Sequence, residues 1–512
     1  MSEEHEVPEP AVKPDSPARR KSVDDERWAK WALTAVVAAG ILAGLIIYLN
    51  NRSFIIDEAM LACNVIFRPL ADIRNHLDDN QLAPPLFLIL SKLSSALFKP
   101  WDLSLRVLPL VCSFLSLYLF ARLGWRTMRS WFVVVSTTIL SLNFEYLEFS
   151  TTFKQYACDL LVTLLLLAVA TSWSGMKRRA RLLVAVLLPL LIGLSFTTVF
   201  GLFGLWVVIL MFALRSREGK NWEPVVILGA MTLVVSILLW LMMLSQYHHA
   251  SFLSEFWRAG FPQGSIVSWT LLAFSSVLGY LVGSPPMAHI WAVISVIGFI
   301  SLARCARPVA AFSIASISAA ILLAILGYYP FAGERVVLYL APVGLLSLAA
   351  GLKAIWTWKR IGAFRFVAVV LSVFLILWSG FSIWLRGNEI WLGDGLMAVI
   401  AQLDLGNAVK VPILVSKRAS YAFRVYTVDQ DRAQAIYLSD WNLSLGQLYA
   451  GWVRAGMPRR FWLVQSGRDD RVSGENGAGL ARHCVVRQSI RRGNSAATLI
   501  EVAAELELTP AQ

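Results

Sequence analysis

The chain repeatedly runs for close to 20 residues that are almost all apolar, and this limits its fold more than any other feature. Residues 32–49 (ALTAVVAAGILAGLIIYL) form the first such run, and others recur near 103–121, 155–174, 225–246, 289–303, 309–327, 336–351 and 366–385. A helix needs ~20 apolar residues to cross the hydrocarbon of a bilayer. Only helices and closed barrels satisfy their backbone polar groups there. Runs rich in Leu, Val and Ala suit helices, so the sequence predicts a polytopic α-helical membrane protein. Charged residues make up 15% of the 512, against roughly 25% in soluble domains.

The formal net charge of +13 would point to nucleic acid in a soluble protein. Here most Lys and Arg sit in short loops, where they set orientation, and no nucleic-acid partner is expected. Five cysteines are scattered with no CxxC pair, so neither a zinc nor a redox motif is present.

Residues 1–28 are rich in Pro and charge, with little to bury, and read as an unstructured tail. Arg19, Arg20 and Lys21 place that tail in the cytoplasm by the positive-inside rule. Residues 83–98 (APPLFLILSKLSSALF) are short for a span and carry Lys92. If they crossed, the loop with Arg122, Arg126 and Arg129 would lie outside, against the rule. They are therefore predicted to form a juxtamembrane helix. Residues 268–283, followed by Pro285 and Pro286, pose the same problem and receive the same reading. A span near 131–142 and two short helices within 182–214, broken around SFTT, bring the total to about 11, starting inside and ending outside.

After residue 385, charge and glycine return, and short β-type runs (411–416, 460–466, 496–503) alternate with helical segments. The expected organisation is a tail (1–28), a transmembrane catalytic domain (29–385) and a small α/β domain on the outer side (386–512).

This topology gathers the unusual polar residues on one side. Asp57-Glu58 opens the first outer loop, and HLDDNQLAPPLF (76–87) closes it, with His76, Asp78, Asp79 and Gln81. The second loop holds Glu145, Glu148, Lys154 and Tyr156, with Asp159 one turn into the next run. GYYPFAGER supplies Tyr328, Tyr329, Glu334 and Arg335, the last an outer arginine against the charge rule. Carboxylates can take a proton, cations can hold a leaving phosphate, and aromatics can stack on sugar rings. His248-His249 is a weak candidate for metal ligation.

At these residues the sequence resembles the C-type glycosyltransferase superfamily. That superfamily includes the protein O-mannosyltransferases and the bacterial lipid A aminoarabinose and galacturonic acid transferases. The resemblance rests on IIDEAMLA, NQLAPPLFLILSKL, SLRVLPLVCSFLSLYLFARLGWR, FKQYACDLL and YPFAGERVVLYLAP, in the expected order over most of residues 50–345. It implies an enzyme of the bacterial inner membrane, facing the periplasm, with a polyprenyl-phosphate-linked sugar as donor. On that footing Asp57 is expected to be the base that activates an acceptor hydroxyl. Glu58 is expected to orient substrate or hold a cation. Lys154 and Arg335 are expected to neutralise the departing phosphate. Substrate contacts are expected from His76, Asp78, Asp79, Gln81, Glu148, Tyr156 and Tyr329. A single base acting directly implies inversion at the anomeric carbon. A divalent metal ion is left open, because members of the superfamily differ.

The acceptor is also open: a glycan, a lipid or a protein. Membrane lipids surround the spans. The rival reading is a transporter or flippase of lipid-linked saccharides, which calls for mid-membrane polar sites and internal repeats; neither is visible. A scaffold role would leave the loop carboxylates without a task.

Overall fold

Helices form where the apolar runs lie. The computed structural model describes residues 17–75, 77–216, 221–244, 255–358, 362–392, 395–403, 411–427, 435–437, 460–466 and 484–502. In chain order its α-helices begin with α1 (Pro17–Leu49), α2 (Ile56–Phe67), α3 (Pro85–Ser95), α4 (Trp101–Met128), α5 (Trp131–Ser141) and α6 (Phe144–Ser150). There follow α7 (Tyr156–Ser172), α8 (Arg178–Leu187), α9 (Thr198–Arg215), α10 (Glu223–Leu244), α11 (Ile266–Val282) and α12 (Ala288–Cys305). The series closes with α13 (Arg307–Ile325), α14 (Ala341–Thr357), α15 (Gly362–Leu392), α16 (Leu396–Gln402) and α17 (Lys417–Tyr426). The chain is a polytopic helical membrane protein. Among the described residues nine helices are long and apolar enough to cross a bilayer, or ten when the bent pair α5 and α6 counts as one span.

One expectation needs correction here. Helix α1 begins at Pro17, inside the segment read as an unstructured tail. Pro suits a first helical turn, and the Glu26–Lys30 pair at 3.0 Å, one turn apart, extends the helix ahead of the apolar run. The segment 182–214 holds helices on either side of a break around SFTT, as expected, α8 with the turn 188–193 before it and α9 after it, and α9 is itself long enough to span. The break falls at 194–197, where the Ser195 and Thr197 hydroxyls bond each other at 3.0 Å. Helices α3 and α11 are short, as the charge argument required. Lys92 of α3 donates to the carbonyls of Val65, Ile66 and Arg68 at 2.7–3.0 Å, capping the C-terminal end of α2 and fixing α3 against it.

The 57° bend between α5 and α6 falls at Asn143. Its side-chain Oδ1 accepts the Tyr146 N–H at 2.9 Å, starting α6, and its side-chain Nδ2 donates to the Leu281 carbonyl at 3.2 Å. An especially close packing joins α12 and α14 through reciprocal glycines. A β-carbon on Gly298 would lie 1.7 Å from the Ser347 carbonyl oxygen, and one on Gly351 would lie 2.1 Å from that of Ile294. Such backbone approach is how membrane helices gain van der Waals contact without a hydrophobic drive.

The bundle has two chemically different ends. At one, Lys353 donates to the Met128 carbonyl, Arg178 pairs with Glu223, and Arg181 bonds Asn221. Arg122, Arg126, Arg129 and Arg179 lie on the same helix ends, so this end is basic. The opposite end gathers residues 50–58, 77–81, 143–156 and 327–340. The C-terminal part docks there. Its five-stranded sheet has the order β2-β1-β3-β5-β4, from β1 (Ile413–Val415), β2 (Ala435–Tyr437), β3 (Arg460–Ser466), β4 (Cys484–Arg492) and β5 (Ser495–Val502). β1 is parallel to β2 and β3, and β5 is antiparallel to β3 and β4. Phe54, Leu61, Phe87 and Leu105 share one apolar core with Leu396, Phe423 and Val464, so the sheet part and the first loop are packed as one body.

Candidate functional site

The site begins where α1 stops. Asn51 adopts a left-handed conformation (φ 47°), which Asn tolerates, and turns the chain toward α2. Asp57 and Glu58 then fall in the first turn of α2, where free N–H groups favour negative charge. As neighbours on a helix they point in different directions, and their fates diverge.

Glu58 turns inward and is 0% exposed. One oxygen accepts Arg52 Nη1 at 2.9 Å, Arg106 Nη2 at 3.0 Å and the Ile55 N–H at 3.1 Å. The other accepts Arg106 Nε at 3.0 Å and the Phe153 N–H at 2.7 Å. Burial alone would raise its pKa, but the two guanidinium groups outweigh it and hold the carboxyl at about 2. Arg52 also donates to Thr152 at 2.7 Å. Glu58 thus ties the loop 151–154 to the start of α2.

Asp57 is half-buried and faces outward from this knot, toward two cations. Its Oδ2 accepts Arg335 Nη1 at 2.7 Å. Burial pushes the carboxyl up, yet Lys154 and Arg335 together hold it below the ordinary value. Lys154 is brought in by the Glu58–Phe153 bond one residue before it. Its Nζ donates to Gln81 Oε1 at 2.7 Å. Burial pushes the ammonium down to about 8, with Asp57 pulling the other way. Gln81 reaches it because Asp79 (φ 60°) and Asn80 (φ 55°) turn left-handed just before it.

Arg335 follows a constrained loop. The Phe331 N–H donates to the Gly260 carbonyl at 2.8 Å, and a β-carbon on Gly260 would meet Pro330 at 2.5 Å. This contact brings Trp257 over the Arg335 guanidinium, 5.6 Å from ring centre to carbon, with Tyr156 at 6.0 Å. Tyr156 packs edge-on against Phe149 at 4.8 Å.

Asp57, Lys154, Arg335, Gln81 and Tyr156 are therefore brought together. Other expected residues stand aside. Asp78 pairs with Arg68, and its N–H donates to Asn64. Asp79 accepts the Tyr421 hydroxyl at 2.5 Å. Glu148 lies near Tyr280, whose hydroxyl donates to Glu145 at 3.2 Å. Tyr329 donates to the Val336 carbonyl at 2.8 Å and packs edge-on against Phe200 and Tyr339. Asp159 bonds the Ser195 and Thr197 hydroxyls. His76, His248 and His249 lie outside the described residues.

Sequence reasoning missed Arg52, Arg106, Trp257 and Tyr421. Arg106 had a signal, since a charge within an apolar run is expensive unless partnered. Arg52 had one too, as an arginine just past the outer end of a run. Trp257 and Tyr421 had none.

The donors at Glu58 do not fit a metal ion. Its oxygens are taken by four nitrogen donor groups, two of them cationic. Among the described residues no cluster of three or more His, Cys, Asp or Glu side chains is placed to hold a metal.

No protein-family model matches the sequence, and no curated protein matches it. Solved structures that are similar in fold include the following three. ArnT from Cupriavidus metallidurans bound to undecaprenyl phosphate aligns at 15% identity and TM-score 0.48, over 91% of this chain and 97% of that one. The same protein in the apo state aligns at 14% identity and TM-score 0.46, over 91% and 98%. The Archaeoglobus fulgidus oligosaccharyltransferase in complex with Zn and sulfate aligns at 11% identity and TM-score 0.44, over 78% of this chain and 62% of that one.

Proposed function

We propose that this protein is an integral-membrane glycosyltransferase that moves a sugar from a polyprenyl-phosphate donor to a cell-envelope acceptor, with Asp57 as base. The observation that carries the reading is the Asp57–Arg335 pair beside Lys154, on the end of the bundle opposite its basic face. One carboxylate between two cations suits a reaction in which a proton is taken up while charge builds on a phosphate. The acceptor oxygen bonds to the anomeric carbon as the bond from that carbon to the phosphate oxygen breaks. Asp57 takes the hydroxyl proton, and the electron pair leaves with the phosphate, whose new charge falls on Arg335 and Lys154. Displacement from the face opposite the leaving group inverts the anomeric centre. A bound donor phosphate shares Arg335 with Asp57, which loosens the hold on the carboxylate and strengthens it as a base. Glu58 acts through position: it places both Asp57 and the Lys154 loop.

The test is sugar transfer by purified protein from a synthetic polyprenyl-phosphate sugar. Arg335→Ala is expected to lower kcat/KM by about 2–4 kcal/mol of transition-state stabilisation. Arg335→Lys loses less, since the charge remains although the two-pronged contact is gone. Equal turnover in wild type and Arg335→Ala would remove the phosphate-binding role.

The reading also places the basic end in the cytoplasm and the site in the periplasm. A cysteine introduced at Arg126 is expected to stay unlabelled by an impermeant thiol reagent in intact cells, while one at Asp78 is labelled. Labelling at 126 from outside would reverse the orientation and disconnect the site from its proposed compartment.

A further inference from the structure

Among the described residues, three of the bonds that join the C-terminal part to the polar end of the bundle involve groups the proposed chemistry does not use. The Met397 N–H donates to Ser53 Oγ at 2.9 Å, and the Phe54 N–H donates to the Tyr426 hydroxyl at 2.6 Å. The third differs in kind: the Tyr421 hydroxyl donates to Asp79 at 2.5 Å, joining α17 to the turn that carries Gln81. Asp79 and Asn80 both occupy the left-handed region, which non-glycine residues rarely adopt without support. That turn aims the Gln81 carbonyl at Lys154 Nζ.

We propose that α17 is a positioning element of the site, with the Tyr421 hydroxyl holding Asp79 and, through the left-handed turn, Gln81 against Lys154. The inference rests on the reading of Lys154 as a phosphate-holding group. Gln81 offers the ammonium its neutral acceptor, and an acceptor favours the charged form. The charged groups facing Lys154 are Asp57 and Glu58 from α2 and Arg335 from the 335–340 turn. If the latch opens, the turn relaxes, Gln81 withdraws and Lys154 loses both orientation and part of the support for its proton.

The probe is a synthetic polyprenyl phosphate without sugar, bound to full-length protein in detergent and titrated by tryptophan fluorescence, with thermal unfolding as the folding control. Tyr421→Phe removes a single hydroxyl and is expected to weaken binding about three- to tenfold. In a Lys154→Ala background the same change is expected to do less than about twofold, because contacting residues in one network are not additive. Asp79→Asn, which keeps an acceptor and tolerates the left-handed turn, stays near wild type, whereas Asp79→Ala behaves like Tyr421→Phe. In wild type, affinity falls as pH rises through about 8. That limb moves to lower pH in Tyr421→Phe and disappears in Lys154→Arg, whose guanidinium stays charged. A merely structural tyrosine would not move the limb. Equal losses from Tyr421→Phe in both backgrounds, or none in either, overturn the latch and leave the site standing if Lys154→Ala weakens binding. No effect of Lys154→Ala on binding overturns both.

Discussion

Asp57→Asn is expected to lower sugar transfer by about 10²–10⁴-fold, the usual loss when a general base is removed, while the protein still folds and inserts. Asparagine keeps the size of aspartate and an oxygen for Arg335 to bond, at the 2.7 Å contact now made to Oδ2. It removes the negative charge and the ability to take a proton. The carboxyl is held below its ordinary value, so it is ionised across the neutral range and available as an acceptor of protons there. Thermal unfolding should change little, because half-exposed ion pairs contribute roughly 0–1 kcal/mol. Turnover equal to wild type would return Asp57 to a solvating residue at the mouth of a span.

Glu58→Gln is expected to produce the opposite pattern one residue along. Its carboxylate is the shared counter-charge of Arg52 and Arg106, all three being buried. Removing one partner of a buried ionic cluster typically costs about 3–5 kcal/mol, because the remaining charges are left unpaired in low dielectric. The measurement is thermal unfolding in detergent, where a clear fall is expected before any assay of transfer. The same logic gives a pH dependence. The carboxyl falls from 4.5 to about 2 on folding, so it contributes stability that is present above pH 4.5 and is lost as the pH falls toward 2. Glu58→Gln should flatten that acid limb. Unchanged unfolding in the variant would show that the cluster is not what holds the loop 151–154 in place.

The contrast between these two residues marks how far the sequence reaches. An acidic pair just past an apolar run announces a site, but not which member faces it. That choice depends on Arg106, which lies 48 residues further along and meets Glu58 only through helix packing. That Arg335 and Lys154 would lie near Asp57 was legible because each stands out against a local rule: an arginine in a loop expected on the outer side and a lysine at the lip of a run. That 83–98 would form a helix too short to span was legible from its length and the loop charge together. Gln81 was legible as a neighbour of the site, though its left-handed approach was not. Trp257 and Tyr421 were not legible at all, since nothing in their local sequence differs from ordinary loop and amphipathic helix. Their roles come from tertiary contacts, where pattern and propensity carry no information. The onset of α1 at Pro17 was missed because a charged, proline-bearing segment can still be helical when a long span propagates into it.

The bond between the Phe54 N–H and the Tyr426 hydroxyl has a consequence in time. Its two ends are separated by 372 residues. At about 5–20 residues per second of synthesis, Phe54 enters the membrane boundary tens of seconds before Tyr426 exists. During that interval the nascent chain already holds Asp57, Glu58 and, later, Lys154 and Arg335, but lacks the last surfaces that bind the first loop. The residues of the proposed site are thus translated early and braced late, so a ribosome that stalls after the spans leaves an inserted bundle whose first loop is unbraced.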